Sequence, residues 1–151
     1  MKSPCLVVID VQEKLYPVVQ DKDNFLRNLE ILIKGFKLLD LPIIVTEQVP
    51  QKLGHTVTPV RSILSDVEPI PKSSFSCASD HKFNSKCDQL LNVDGYVLAG
   101  IETHICVYQT QRQMSLLGRH VEVVADAVSS INKTNHDVAL DRIRNSGGFL
   151  T

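Results

Sequence analysis

The chain has no tryptophan, and aromatic residues make up only 5% of its 151 positions. Little is available for stacking on nucleic-acid bases. Charge is nearly balanced as well: 16 Lys and Arg stand against 17 Asp and Glu, a formal net charge of −1. No basic face is implied, so nucleic acid is not an expected partner. No apolar run approaches the roughly 20 residues of a membrane helix, so no membrane contact is expected. The apolar run Cys5–Ile9 begins too early to leave room for a secretory leader, which makes the cytoplasm the expected location. Repeats, low-complexity tracts and interdomain linkers are absent, so residues 1–151 read as a single domain. Cysteine is sparse: Cys5, Cys77, Cys87 and Cys106. With 43% hydrophobic residues supplying a core, these are expected to be reduced thiols rather than two disulfides.

What is present is an alternation of strand-like and helix-like segments. Cys5–Ile9, Ile43–Val45, Tyr96–Ala99 and His120–Val124 read as strands, and Glu68–Pro71 as a short extended piece leading to Lys72. Asn24–Leu39 carries a helical stripe of Phe25, Leu29, Leu32, Ile33, Phe36 and Leu39. Arg61–Leu64 reads as a short helix. Further helices are predicted from Asp80, as a cap, to Leu91, from Thr103 or His104 to Leu117 with Gly118 as terminator, and over Thr134–Asn145. The stretches Thr46–Pro59 and Ala125–Ser130 read as loops. Gly147 and Gly148 turn toward Phe149 and Leu150, where a last strand has barely begun, so a terminal helix is expected to be missing. Continuous apolar strands alternating with helices predict a three-layer α/β/α fold around a mostly parallel sheet of six strands.

In open α/β sheets, sites form at the carboxyl ends of strands. Asp10, Glu47, Lys72 and Cys106 all fall at such ends. Cys106 follows the strand Tyr96–Ala99, a break at Gly100 and the start of a helix. Free N–H groups and the helix dipole favour thiolate at such a position. Asp10 could accept the thiol proton, and Lys72 could lower the thiol pKa as a counter-ion. Each residue also has a plainer reading: Asp10 as a turn residue, Lys72 as a solvated lysine, Cys106 as a small buried hydrophobe. It is their joint placement at one sheet edge that points to nucleophilic catalysis. Leu15, Phe75 and Tyr108 are the expected walls of a small-molecule pocket. Cys77, His81 and Cys87 match no common zinc spacing, so neither a metal nor a cofactor is expected. His55 reads as a solvated loop residue and His104 as a capping or interface residue.

Several segments resemble a known family. Leu6-Val7-Val8-Ile9-Asp10-Val11-Gln12, Lys72-Ser73-Ser74-Phe75-Ser76 and Gly100-Ile101-Glu102-Thr103-His104-Ile105-Cys106 are similar to signature segments of the isochorismatase-like cysteine hydrolases. Val123-Val124-Ala125-Asp126-Ala127-Val128-Ser129-Ser130 is similar to another. The resemblance implies a catalytic triad of Asp10, Lys72 and Cys106. It also implies a cis peptide at Ile101–Glu102, and an oxyanion hole built from the Glu102 and Cys106 N–H groups. It implies hydrolysis of a small amide or related carbonyl compound through a thioester. Assembly of several copies is expected by resemblance as well. The Asp/His metal cluster of the nicotinamidases has no counterpart in residues 46–56, and Cys106 departs from the isochorismatases proper, which lack the nucleophile. The competing readings are a catalytically silent binding or scaffold protein of the same fold, and a thiol redox sensor that pairs Cys106 with Cys77 or Cys87.

Overall fold

Strand β1, Pro4–Ile9, is buried along almost its whole length, and its successive side chains enter two different cores. Cys5, Val7 and Ile9 face one core, while Leu6 and Val8 face the other. A strand buried on both sides must lie inside a sheet covered by two layers. The computed structural model describes residues 1–151 and shows that arrangement. The further strands are β2, Ile43–Gln48; β3, Ile70–Lys72; β4, Gly95–Ile101; β5, Val121–Ser129; and β6, Phe149–Leu150. They form one sheet in the order β3-β2-β1-β4-β5-β6, and every pairing is parallel.

Helix α1, Lys22–Leu38, buries Phe25, Leu29, Ile33 and Phe36 against one face of the sheet. Helix α2, Pro50–Leu53, is a single turn. Helix α3, Thr58–Ile63, adds Val60 to the same layer as α1. The opposite face is covered by α4, His81–Gln89, through Phe83 and Cys87; by α5, Tyr108–Leu116, through Met114; and by α6, Lys133–Asn145, through Ile143. Asp80 caps α4 as predicted, accepting from Phe83 N at 3.0 Å. Asn132 caps α6, accepting from the N–H of Thr134 at 2.8 Å.

The departures from the sequence reading fall mostly at strand ends. Strand β2 continues through Thr46, Glu47 and Gln48 instead of stopping at Val45. These polar residues are all buried, and each finds a partner, so polarity marks a site here and not a loop. The predicted loop over 46–59 also holds α2 and the start of α3. Strand β5 runs on to Ser129 past the predicted loop at Ala125. Its pairing with β4 shifts between Leu98 and Gly100 and then resumes at Gly100 with Val128. The helix after β4 opens with a π-helical turn, Thr103–Val107, before α5 begins.

The strand order places the site. The chain adds β2 and β3 on one side of β1, then crosses over to add β4 on the other. The order therefore reverses between β1 and β4, the point at which open α/β sheets form their sites. Gly100 lies there with φ +127°, opposite Ile9. A Cβ there would overlap the Ile9 carbonyl oxygen. Gly100→Ala is therefore expected to cost at least about 3 kcal/mol, combining backbone strain and overpacking. A urea-denaturation midpoint within error of the wild type would contradict this.

Candidate active site

Asp10 is the first residue past β1 and turns the chain at φ +53°, a conformation that Asp tolerates better than most residues. Its turn role and its site role coincide. The side chain is fully buried, and both carboxylate oxygens are occupied. Thr46 Oγ1 donates to Oδ1 at 2.7 Å, and Lys72 Nζ donates to Oδ2 at 2.6 Å. Lys72, at the end of β3, is equally buried, with its side chain and that of Asp10 both 0% exposed. Its ammonium also faces Gln48 Oε1 at 2.7 Å and the carbonyls of Ser74 at 3.1 Å and Phe75 at 3.2 Å. An ammonium has three protons, so these four acceptors hold it charged and immobile. Burial works against that charge. The Asp10 carboxylate, which is also its hydrogen-bond partner, outweighs it and raises the Lys72 pKa above its ordinary value.

Cys106 is buried in the π-helical turn beside this pair. Its thiol pKa is pushed up, first by burial and then by the Asp10 carboxylate, with Lys72 pulling the other way. This corrects the expectation of a thiolate favoured by the helix start. Burial and the carboxylate together outweigh the ammonium, which Asp10 already engages, so these surroundings favour thiol over thiolate.

Glu47 does not join the cluster. Along a strand successive side chains point to opposite faces, so Thr46 and Gln48 reach the site and Glu47 turns away. Its carboxylate accepts from Thr56 N at 2.7 Å and Thr56 Oγ1 at 2.8 Å, and lies 3.1 Å from His55 Nδ1. Burial disfavours its charge, but these donors win and lower its pKa. His55 has this partner, yet its side chain is 76% exposed, so it is the solvated loop residue that the sequence predicts. His104 Nδ1 lies 3.1 Å from Ser130 Oγ and 3.8 Å from Glu102 Oε2, both within the chain. The Ile101–Glu102 peptide is cis. The Glu102 carboxylate accepts from Ile131 N at 2.9 Å, and its carbonyl accepts from the N–H of Ile105 and Val107.

Among the predicted pocket walls, Phe75 is 53% exposed and its carbonyl touches Lys72. Leu15 packs on the α1-side core, across the sheet from the core that includes Cys106. Tyr108 lies in a cleft with His104, Asn135 and Arg142, the Arg142 guanidinium 5.7 Å from its ring centroid. Cys77, His81 and Cys87 form no metal-binding group, and no cluster of three or more His, Cys, Asp or Glu is present. All four cysteines are free.

Sequence reasoning missed Gln12, Thr46 and Gln48, and named Cys77 only as a disulfide partner or an unmatched zinc ligand. Cys77 is wholly buried, with its sulfur 3.7 Å from Thr46 Oγ1. The signal for Thr46 and Gln48 was their two-residue spacing at a strand end, which only a longer β2 reveals.

The buried thiols make stability depend on alkali. Burial pushes Cys5 up to about 12 and Cys77 to about 11, from an ordinary 9.0. An acid whose pKa is raised by folding favours the folded state fully below its unfolded value, and that advantage is lost as pH climbs to the folded value. The melting temperature is therefore expected to hold up to pH 9.0 and to fall progressively toward pH 12. A flat profile across that window, measured by calorimetry, would contradict the burial effect.

Comparisons with known proteins agree with this fold. Residues 4–151 match the isochorismatase domain. Isochorismatase domain-containing protein 2 of Danio rerio is 34% identical over 149 residues, covering 99% of this chain and 74% of the relative. The solved structure of the MAR1 ribonuclease from Caenorhabditis elegans is 36% identical with a TM-score of 0.87, covering 99% of this chain and 76% of that one. The YcaC gene product of Escherichia coli, described as an octameric hydrolase of unknown specificity, is 25% identical with a TM-score of 0.88, covering 99% of this chain and 74% of that one. On its match along nearly the whole sequence and its parallel α/β/α architecture, the chain belongs to the isochorismatase domain family and has that family's hydrolase fold.

Proposed function

We propose that the protein is a cysteine-dependent hydrolase of a small, neutral amide or related carbonyl compound. The observation that carries this is the fully buried Asp10–Lys72 pair beside the Cys106 thiol, at the point where strand order reverses. As Cys106 Sγ attacks the carbonyl carbon, its proton passes to Asp10. The carbonyl oxygen becomes an oxyanion held by the N–H groups of Glu102 and Cys106. Collapse of the tetrahedral adduct breaks the C–N bond, and Asp10 returns the proton to the leaving amine. A water that gives its proton to Asp10 then attacks the thioester, releasing the acid and the thiol. Lys72 stays charged throughout and offsets the negative charge that moves between sulfur, oxygen and carboxylate.

A resting thiol means that proton transfer accompanies attack and does not precede it. The engagement of Lys72 by four oxygens also favours a neutral substrate, because the cation of the cluster has no proton left for an anion. This is why phosphodiester cleavage, suggested by the ribonuclease name of one relative, is the weaker reading here. We place the activity in one domain, in an assembly of several copies like that of the E. coli relative. Four free buried thiols suit a reducing compartment such as the cytoplasm.

The test is incubation with a panel of amides and aldehydes followed by intact-mass analysis. The expected result is a covalent adduct that maps to Cys106. No adduct from any carbonyl electrophile would leave the silent scaffold as the better account. One observation favours the redox alternative: Cys77 shares the cluster through Thr46. A peroxide would convert Cys106 to a sulfenic acid with loss of water, and Cys77 would displace a second water to form the disulfide. Loss of two hydrogens by mass after peroxide, reversed by a dithiol, would support that reading.

A further inference from the structure

The ammonium of Lys72 is held in place by more than its ion pair. Strand β2 ends in Gln48, whose side chain does two things at once. Its Oε1 accepts from Lys72 Nζ at 2.7 Å, and its Nε2 donates to the Ser73 carbonyl at 2.9 Å. Gln48 is itself gripped. The fully buried Gln12 accepts from Gln48 N at 2.6 Å through Oε1, and donates to the Gln48 carbonyl at 3.0 Å through Nε2. That side-chain amide stands where the next residue of a neighbouring strand would stand, past the end of β1. Nε2 also donates to the Gly54 carbonyl at 2.6 Å, tying in the turn after α2. Beyond Gln48 the chain bends sharply at Val49, φ +37°, an unusual value for a β-branched residue. The Val49 N–H donates to the Lys72 carbonyl at 2.8 Å.

Gln12 lies two residues past Asp10, Gln48 two residues past Thr46, and Lys72 ends β3. The ends of three adjacent strands are thus joined by side-chain amides at the level of the reacting groups. We propose that Gln12 and Gln48 are positioning residues, Gln12 fixing the Gln48 backbone and Gln48 fixing the Lys72 ammonium against Asp10. Neither needs to touch the substrate. Without the Gln48 acceptor, the ammonium is held by Asp10 and two loop carbonyls only. It can then swing with that loop, and its field at Cys106 weakens. The proposal rests on the role given above to Lys72.

The experiment is alkylation of Cys106 by iodoacetamide, followed at Cys106 by peptide mapping from neutral to mildly alkaline pH, on the whole chain. Gln48→Met removes the amide at nearly constant shape, and Lys72→Met sets the scale. Lys72→Met should slow alkylation at least tenfold at a given pH. Gln48→Met should slow it about threefold to tenfold, and the double variant Gln48→Met/Lys72→Met should be no slower than Lys72→Met alone. Mere loosening of the structure would have the opposite sign, because an exposed thiol reacts faster. If Gln48→Met does not fold, Gln12→Glu, which keeps the acceptor for Gln48 N and loses the donor, should show the same slowing. A Gln48→Met rate equal to or above the wild type, or slowing that multiplies with that of Lys72→Met, overturns the positioning role. A Lys72→Met rate equal to the wild type overturns the proposed function and this inference together.

Discussion

Cys106→Ala is expected to abolish covalent capture of carbonyl electrophiles and to lower turnover of any amide substrate by on the order of 10⁴ to 10⁶. The physical reason is that no other group in the cluster can form the acyl intermediate. Lys72 is fully hydrogen-bonded and charged, and Cys77 is wholly buried behind Thr46. The fold should barely notice, because a small buried side chain is replaced by a smaller one of the same character, at a cost of about 1 kcal/mol. Asp10→Asn should be nearly as damaging to turnover, since it leaves the thiol without a proton acceptor. The pair should be strongly non-additive: once the nucleophile is gone, the base has nothing to activate. Intact mass and turnover on the same preparations read both effects. Residual labelling at full rate in Cys106→Ala would show that the chemistry lies elsewhere.

Lys72→Met should destabilise the protein by about 3–5 kcal/mol, because it removes one partner of a fully buried ion pair and leaves the other charge unpaired. Four oxygen acceptors lose their donor at the same time. The contribution of the wild-type pair also depends on pH. Folding raises the Lys72 pKa above 10.5, so its contribution is complete below that value and fades as pH rises past it. Urea denaturation across pH measures this directly. A midpoint unchanged by Lys72→Met at neutral pH would mean that the ion pair contributes nothing net, and with it the electrostatic role given to Lys72 would fail.

The two variants affect different properties of the site. Losing Cys106 removes chemistry and keeps the fold, whereas losing Lys72 weakens both. Gly100 stands between these cases. It carries no reactive atom, yet it allows β4 to approach β1 closely enough for Asp10 to lie beside the Cys106 sulfur.

Period and punctuation alone determined much of this protein. Unbroken apolar runs such as Cys5–Ile9 could only be strands buried on both faces, which required a parallel sheet between helical layers. The apolar stripe of α1 and the cap at Asp80 are local signals; both elements formed where the local chemistry placed them, with Phe25, Leu29, Ile33 and Phe36 of the stripe buried and Leu39 left exposed past the helix end. Asp10, Lys72 and Cys106 were legible because strand ends of a parallel sheet share one edge, and polar residues there stand out against apolar runs. What sequence could not decide was which polar residues face inward and what charge they keep. Glu47 and Gln48 are neighbours at the same strand end, yet one turns to Thr56 and His55 and the other to Lys72. That choice depends on how far β2 continues and on which neighbours it meets, and neither is a local property. The state of Cys106 was decided in the same way. A helix start favours thiolate, but burial beside an ionised carboxylate favours thiol, and only the packed structure sets how close carboxylate, ammonium and sulfur come.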